Sequence, residues 1–288
     1  MKILLTGRKG FIGKNFEERI KLIYPELNLI SIARDDCDLS KADAFLELVS
    51  KHKPDSIIHT AISLNDYANN LSMYYSLEAV HHLCDRIVIL GSGCEYNPSR
   101  YKPLMKEEYF DQYKPPTIDN IYIHSRFTIS RLHQKSDIDN IYNLRLFGVY
   151  GAHEDYSRRL ISNSIYQLLT TGSIRYRRDI KFDYLYVDDL LDAVVCFIKS
   201  TSPKFNNYNV CSGFSTSFST IMEAICSYYK CDPSIITLDD HTPSDYEYSG
   251  SSQRFESEFK HIISSSSLPQ SIDKLNQWMQ ITINHENS

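Results

Sequence analysis

The chain contains no apolar run long enough to cross a bilayer, no C-x-x-C pair among its seven cysteines, and no surplus of basic residues. The first absence argues against a membrane-spanning protein, because a helical span needs about 20 apolar residues in a row. The opening stretch from Met1 to Leu5 is also too short for a signal peptide. The second leaves an odd set of scattered thiols at 37, 84, 94, 196, 211, 226 and 231, which reads as reduced cysteine in a cytoplasmic setting and offers no zinc framework. The third is a net charge of -5 with a pI near 6.1, which argues against a nucleic-acid binder that works by bulk charge. A local basic cleft for phosphate stays open. At 288 residues, 42% of them hydrophobic, the chain is long enough for one large or two modest domains with a buried core.

Glycine is scarce, ten residues in all, yet three fall in the opening MKILLTGRKGFIGK. The apolar residues before them suit a strand buried on both faces, and the KNFEERIKLI that follows has helical periodicity. Between the two lies a G-x-x-G-x-x-G turn made by Gly7, Arg8, Lys9, Gly10, Phe11, Ile12 and Gly13. Gly7 can take backbone angles closed to other residues, Gly10 lets a phosphate approach the main chain, and Gly13 lets the helix pack tightly on the strand. The free N–H groups of the helix start favour an anion. A tight turn without a ligand is the competing reading of the same residues, and the position directly after the first strand favours a dinucleotide.

Further apolar runs at 27–33, 55–62, 86–93 and 140–151 alternate with helical periodicity near 40–52, 69–84 and 121–135. This repeated βα unit predicts an α/β fold built on a doubly wound parallel sheet, with the ligand across the carboxyl ends of its strands. Past Gly151 the elements shorten and Tyr, Ser and Asp become more frequent, so a dinucleotide-binding domain is expected over 1–150 and a smaller α/β domain over 151–288. A strand and amphipathic helix near 180–200 are expected to return to the first domain.

Three motifs fall in order along this frame: TGRKGFIG, ILGSGCEY at the end of the fourth strand, and YIHSR at the head of a helix. They resemble the cofactor turn, catalytic Ser/Thr and Y-x-x-x-K of the extended short-chain dehydrogenase/reductases that act on nucleotide sugars. The likeness extends through PDSIIHTA, NLRLFGVYG, FDYLYVDDL and NVCSG. The resemblance implies a Rossmann-like fold with a C-terminal substrate-binding domain, and it implies a homodimer packed through helices that include the one beginning near Tyr122. It makes Tyr122 the proton donor, Arg126 the cation that lowers its pKa and holds the nicotinamide ribose, and Ser92 the second hydroxyl, on the reacting sugar oxygen. Cys94 lies where the GDP-fucose synthase group has a cysteine for acid/base exchange at a sugar carbon; a buried inert thiol is the alternative.

This chain also departs from the pattern. Arg126 replaces the family lysine, and arginine is planar and bulkier. Where that synthase group places a histidine, Arg159 stands, with His153 nearby but out of place, so reduction carries over more readily than epimerisation. Phe182 replaces an arginine that many relatives use on the nucleotide phosphates, leaving Lys181, Arg178, Arg177 or Arg175 as contacts. Gly93 and Cys94 follow Ser92 where a dehydratase would commonly carry Asp-Glu. For the cofactor, the second strand runs into Arg34, and Arg8 and Lys9 add positive charge on the same side, which favours NADP; Asp35 and Asp36 argue for NAD. Asp38 and Leu39 resemble the family's adenine-side pair, and Ala61 lies where the main chain would pass the cofactor. The resulting expectation is a cytoplasmic NADP-dependent reductase of a nucleoside-diphosphate 4-keto sugar for polysaccharide precursors. An NAD-dependent 4-epimerase or dehydratase, or a dinucleotide-binding protein without turnover, are the alternatives. No metal, nucleic acid or membrane partner is expected.

Overall fold

The computed structural model describes residues 1–112 and 120–286. Its strands are β1 (Lys2–Thr6), β2 (Asn28–Ile32), β3 (Ser56–His59), β4 (Arg86–Ser92), β5 (Ile141–Leu146), β6 (Gly148–Tyr150), β7 (Ile174–Arg178), β8 (Lys181–Phe182), β9 (Tyr184–Tyr186), β10 (Asn207–Val210), β11 (Thr216–Ser217), β12 (Ile236–Asp240) and β13 (Glu247–Tyr248). The helices are α1 (Phe11–Ile23), α2 (Ala42–His52), α3 (Tyr67–Val80), α4 (Ile121–Lys135), α5 (Leu160–Thr171), α6 (Val187–Lys199), α7 (Phe218–Tyr229), α8 (Gln253–Phe259) and α9 (Leu268–Glu286).

The central sheet has six strands in the order β10-β5-β4-β3-β1-β2, every pair parallel. Side chains alternate across a strand, so a sheet covered on both sides needs apolar residues at successive positions. Ile3 and Leu5, Ile58, and Val88 and Leu90 face one core with Phe16 and Ile20 of α1 and most of α6. Their neighbours Leu4, Ile57, and Ile87 and Ile89 face another, with Phe45 and Val49 of α2 and Met73, Tyr74 and Leu77 of α3. The expected doubly wound α/β sheet is therefore present, and its continuous apolar runs follow from helices on both faces.

The strand order reverses between β1 and β3, so the crevice outside their carboxyl ends is where this architecture binds ligands. Two segments from the second half of the chain pack with the first. The α6 helix lies on α1, tied by Arg19 to Asp188 at 3.2 Å and to Asp192 through Nε at 2.9 Å. Beyond it, β10 forms the sheet edge beside β5. The remaining strands make three small sheets, β11-β8-β13, β12-β7 and β6-β9.

Candidate active site

The glycine turn is shaped by close approach. Gly7 has φ +83°, and a Cβ there would lie 2.6 Å from Thr60 Oγ1 and 2.9 Å from the Ala61 nitrogen. A Cβ at Gly13 would lie 2.2 Å from the Gly7 carbonyl oxygen, which is the tight helix-on-strand contact expected of the third glycine. Among the described residues, a Cβ at Gly10 would meet only that same carbonyl within 4 Å, at 3.3 Å, so the main chain is open to a ligand on that side. Gly10 is also the N-cap of α1 and supplies no side-chain cap, which leaves the first N–H groups free for an anion. Phe11 and Ile12 begin the helix and pack partly buried against the core. A dinucleotide pyrophosphate fits this cradle.

At the tip of β2, Arg8 pairs with Asp36 at 3.1 Å and Lys9 pairs with Asp35. The two turn cations are thus engaged by the two acids that argued against them, and Arg34 is left exposed beside them. Asp38 accepts from the Ser40 hydroxyl at 2.7 Å, and Leu39 is buried in the core under α2 and α3.

The chemistry-bearing groups gather at the end of β4 and the first turn of α4. Asn120 caps α4 by accepting from the Ile123 N–H at 3.1 Å, which sets Tyr122 in the opening turn. One turn on, the Arg126 guanidinium lies 5.4 Å from the Tyr122 ring centroid. Arg126 is only 6% exposed. Burial works against its charge, but the fields of Tyr122 and Glu95 outweigh burial, and its pKa is raised. Its Nε has no partner among the described residues, so a ligand oxygen could be accommodated there. His59 on β3 faces the same charge; burial first, then Arg126, pushes it down to about 3, and it stays neutral against Thr6 at 2.9 Å.

Ser92 ends β4, and its Oγ accepts the Cys94 N–H at 3.3 Å. Burial pushes the Cys94 thiol up to about 12, against a hydrogen bond with Ser92 that lowers it, so at neutral pH it is a thiol. Beneath the serine lies a buried pair that the motifs did not reveal. Glu95 accepts the Ser92 N–H at 2.9 Å, Asn143 at 2.8 Å and Arg145 Nε at 2.7 Å. A lone arginine inside the apolar strand NLRLF was the available signal. A wall of rings faces the serine: Tyr101 donates to the Gly93 carbonyl at 3.3 Å, and Tyr248 lies 5.1 Å from Tyr101 and from Phe182, ring to ring. Tyr122 and Cys94 both lie near enough to Tyr101 and Tyr248 to influence their titration, so these groups share one site.

Other expected residues lie further out. Arg159 is the exposed N-cap of α5, its charge felt by Glu154 and Tyr184, and Lys181 is exposed on β8 next to Phe182. Arg175 and Arg178 are engaged by Asp239 at 2.6 Å and Asp240 at 2.7 Å across β7 and β12. His153 bonds Glu18 of α1 at 2.8 Å. Among the described residues no group of three or more His, Cys, Asp or Glu could hold a metal, and no helix is long and apolar enough to cross a membrane.

Sheet, glycine cradle and the Ser92–Tyr122 cluster together define a nicotinamide-dinucleotide enzyme of the extended type, and residues 3–211 match the NAD dependent epimerase/dehydratase family. The chain belongs to that family. It is 23% identical over 257 residues, 80% of each chain, to GDP-L-colitose synthase of Yersinia pseudotuberculosis. Among solved structures it is similar to dTDP-glucose 4,6-dehydratase of Bacillus anthracis in complex with NAD (TM-score 0.80, 16% identity, 99% of this chain and 98% of that one). It is also similar to a GDP-L-fucose synthetase of Naegleria fowleri bound to NADP (TM-score 0.78, 17% identity, 98% and 95%). The expected family and fold are thereby established.

Proposed function

We propose that this chain is an NADP-dependent reductase of a nucleoside-diphosphate 4-keto sugar, working as a cytoplasmic homodimer in the supply of polysaccharide precursors. The observation that carries the reading is the contact of Tyr122 with the buried Arg126 cation beside the Ser92–Cys94 turn. The dinucleotide, lying on the Gly7–Gly13 turn and reaching Arg126, would supply hydride to the keto carbon. The chain's own part is proton and charge. Tyr122 gives its phenolic proton to the sugar oxygen as that oxygen gains charge, Arg126 stabilises the phenolate left behind, and Ser92 donates a hydrogen bond to the same oxygen. Epimerisation needs a base that lifts a proton from carbon, and a thiol held near 12 is a poor one. Reduction needs none. The likeness to the colitose and fucose synthases supports a GDP-linked sugar as the first substrate to try, with Arg159 and Lys181 as contacts to its nucleotide.

Arg34, exposed where Arg8 and Lys9 are engaged, supports NADP. NADPH should raise the melting temperature more than NADH at equal concentration, and Arg34→Ala should remove that difference. Equal shifts with the parent protein would favour an NAD-dependent epimerase instead. Loss of NADPH absorbance with a panel of keto sugars tests the activity, and Tyr122→Phe should abolish it while leaving NADPH affinity near that of the parent.

A further inference from the structure

We propose that Tyr101 is a positioning residue for that reaction: its hydroxyl clamps the Gly93–Cys94 peptide, and that peptide holds the Ser92 hydroxyl with its proton turned towards the reacting sugar oxygen. This rests on the reductase reading. A planar peptide carries its C=O and N–H on opposite sides, so fixing one fixes the other. On one side, the Gly93 carbonyl accepts from the Tyr101 hydroxyl at 3.3 Å and from the Tyr96 N–H at 3.2 Å, which uses both of its lone pairs. On the other side, the Cys94 N–H donates to Ser92 Oγ at 3.3 Å. A serine hydroxyl that accepts there still has its one proton to give, and in the reductase reading the sugar oxygen receives it.

The local sequence brings Tyr101 back over this turn. In NPSRY, Asn97 accepts from the Ser99 N–H at 3.1 Å, and its carbonyl accepts from the Arg100 N–H at 2.9 Å, a tight turn that starts on Pro98 and ends at Tyr101. Beyond it the chain is fastened to the second half: the Met105 N–H donates to the Ser249 carbonyl and the Ser251 N–H to the Met105 carbonyl, each at 2.9 Å. The Tyr101 ring packs at 5.1 Å from Tyr248 and 6.1 Å from Tyr246, so residues of that half buttress it. Burial, then the neighbouring Cys94 and Tyr246, raises the pKa of the phenol, which stays protonated and able to donate. Gly93 is what makes a clamp necessary. A Cβ there would lie 2.6 Å from the Phe147 ring and 2.8 Å from the Tyr248 hydroxyl, so only glycine fits, and glycine restrains its own backbone least.

The test is a double-mutant cycle with Ser92→Ala, Tyr101→Phe and both together, read as NADPH oxidation with nucleoside-diphosphate 4-keto sugars and as melting temperature. Tyr101→Phe keeps the packed ring and removes only the donor. Loss of that one neutral hydrogen bond should lower kcat about fivefold, with KM for the sugar and NADPH affinity little changed. In the Ser92→Ala background Tyr101→Phe should cost no further activity, because no hydroxyl is left to orient. A kcat within about twofold of the parent, a rise in KM in place of the fall in kcat, or losses that multiply across the cycle overturns the proposal. A Tyr101→Phe protein that loses activity only in proportion to folded fraction also overturns it. Failure of the parent protein to oxidise NADPH with any keto sugar overturns the reductase reading itself, and that result appears before any variant is compared.

Discussion

Glu95 is 2% exposed and Arg145 fully buried, and their contact supports the residue that ends β4. Glu95→Gln changes no volume, so its effect can be worked from the partners. The retained Oε1 still accepts the Ser92 N–H, but the new amide nitrogen faces Arg145 Nε and the Asn143 amide, donor against donor. Breaking one side of a buried ion pair generally costs 3–5 kcal/mol. Arg145 keeps Ser130 Oγ at 2.8 Å, Tyr96 at 3.3 Å and the face of Phe110 at 4.5 Å, which places the expected loss near the lower end, about 3 kcal/mol. Equilibrium unfolding in guanidinium, followed by circular dichroism, should show a lower midpoint at unchanged slope. Adding Arg145→Met removes the stranded charge and should recover part of the loss. A change below about 1 kcal/mol in the single variant, or no recovery in the double, would refute the argument that the pair is held by mutual compensation.

Glu154 is buried against Ser162, and burial raises its carboxyl to about 7 from an ordinary 4.5. A raised carboxyl favours folding while it is protonated, so the stability it contributes is full below pH 4.5 and is lost as pH rises through about 7, roughly 3 kcal/mol in all. Glu154→Gln cannot ionise, keeps an acceptor for Ser162, and should flatten the fall in melting temperature over that window; an unchanged pH profile would count against the assignment. Arg126→Lys should retain substantial turnover and Arg126→Met should lose most of it, because a cation beside Tyr122 is the common requirement. Activity in Arg126→Lys with none in the parent protein would favour a non-catalytic dinucleotide binder. Gly13→Ala should weaken both folding and cofactor binding, since its Cβ would lie 2.2 Å from the Gly7 carbonyl; parental melting and parental NADPH affinity together would contradict that packing.

The sheet was legible because burial on both faces forces successive apolar residues, and runs such as SIIH at Ser56–His59 can hardly be anything else. The glycine turn was legible for the same local reason, spacing within one strand and one helix. What sequence could not show is pairing at long range. Arg8 and Lys9 read as free cations until the loop after β2 brings Asp36 and Asp35 across to them. Arg175 and Arg178 read as phosphate ligands until β12 places Asp239 and Asp240 opposite. Glu95, in the turn after β4, meets Arg145 of β5, and Tyr248 packs on Tyr101 from the other half of the chain, with no periodicity or motif to mark either.

The position of β10 at the edge of the central sheet has a consequence for how the protein is made. Until residues 207–210 have left the ribosome, the outer edge of β5 presents unpaired N–H and C=O groups along a wholly buried-type strand. A nascent chain that has already delivered its glycine turn, Ser92 and Tyr122 is therefore still an open-edged sheet, prone to pair with other chains. A fragment ended near residue 150 would leave the six-residue β5 as the sheet edge in place of the four-residue β10, and should associate more readily than the full chain.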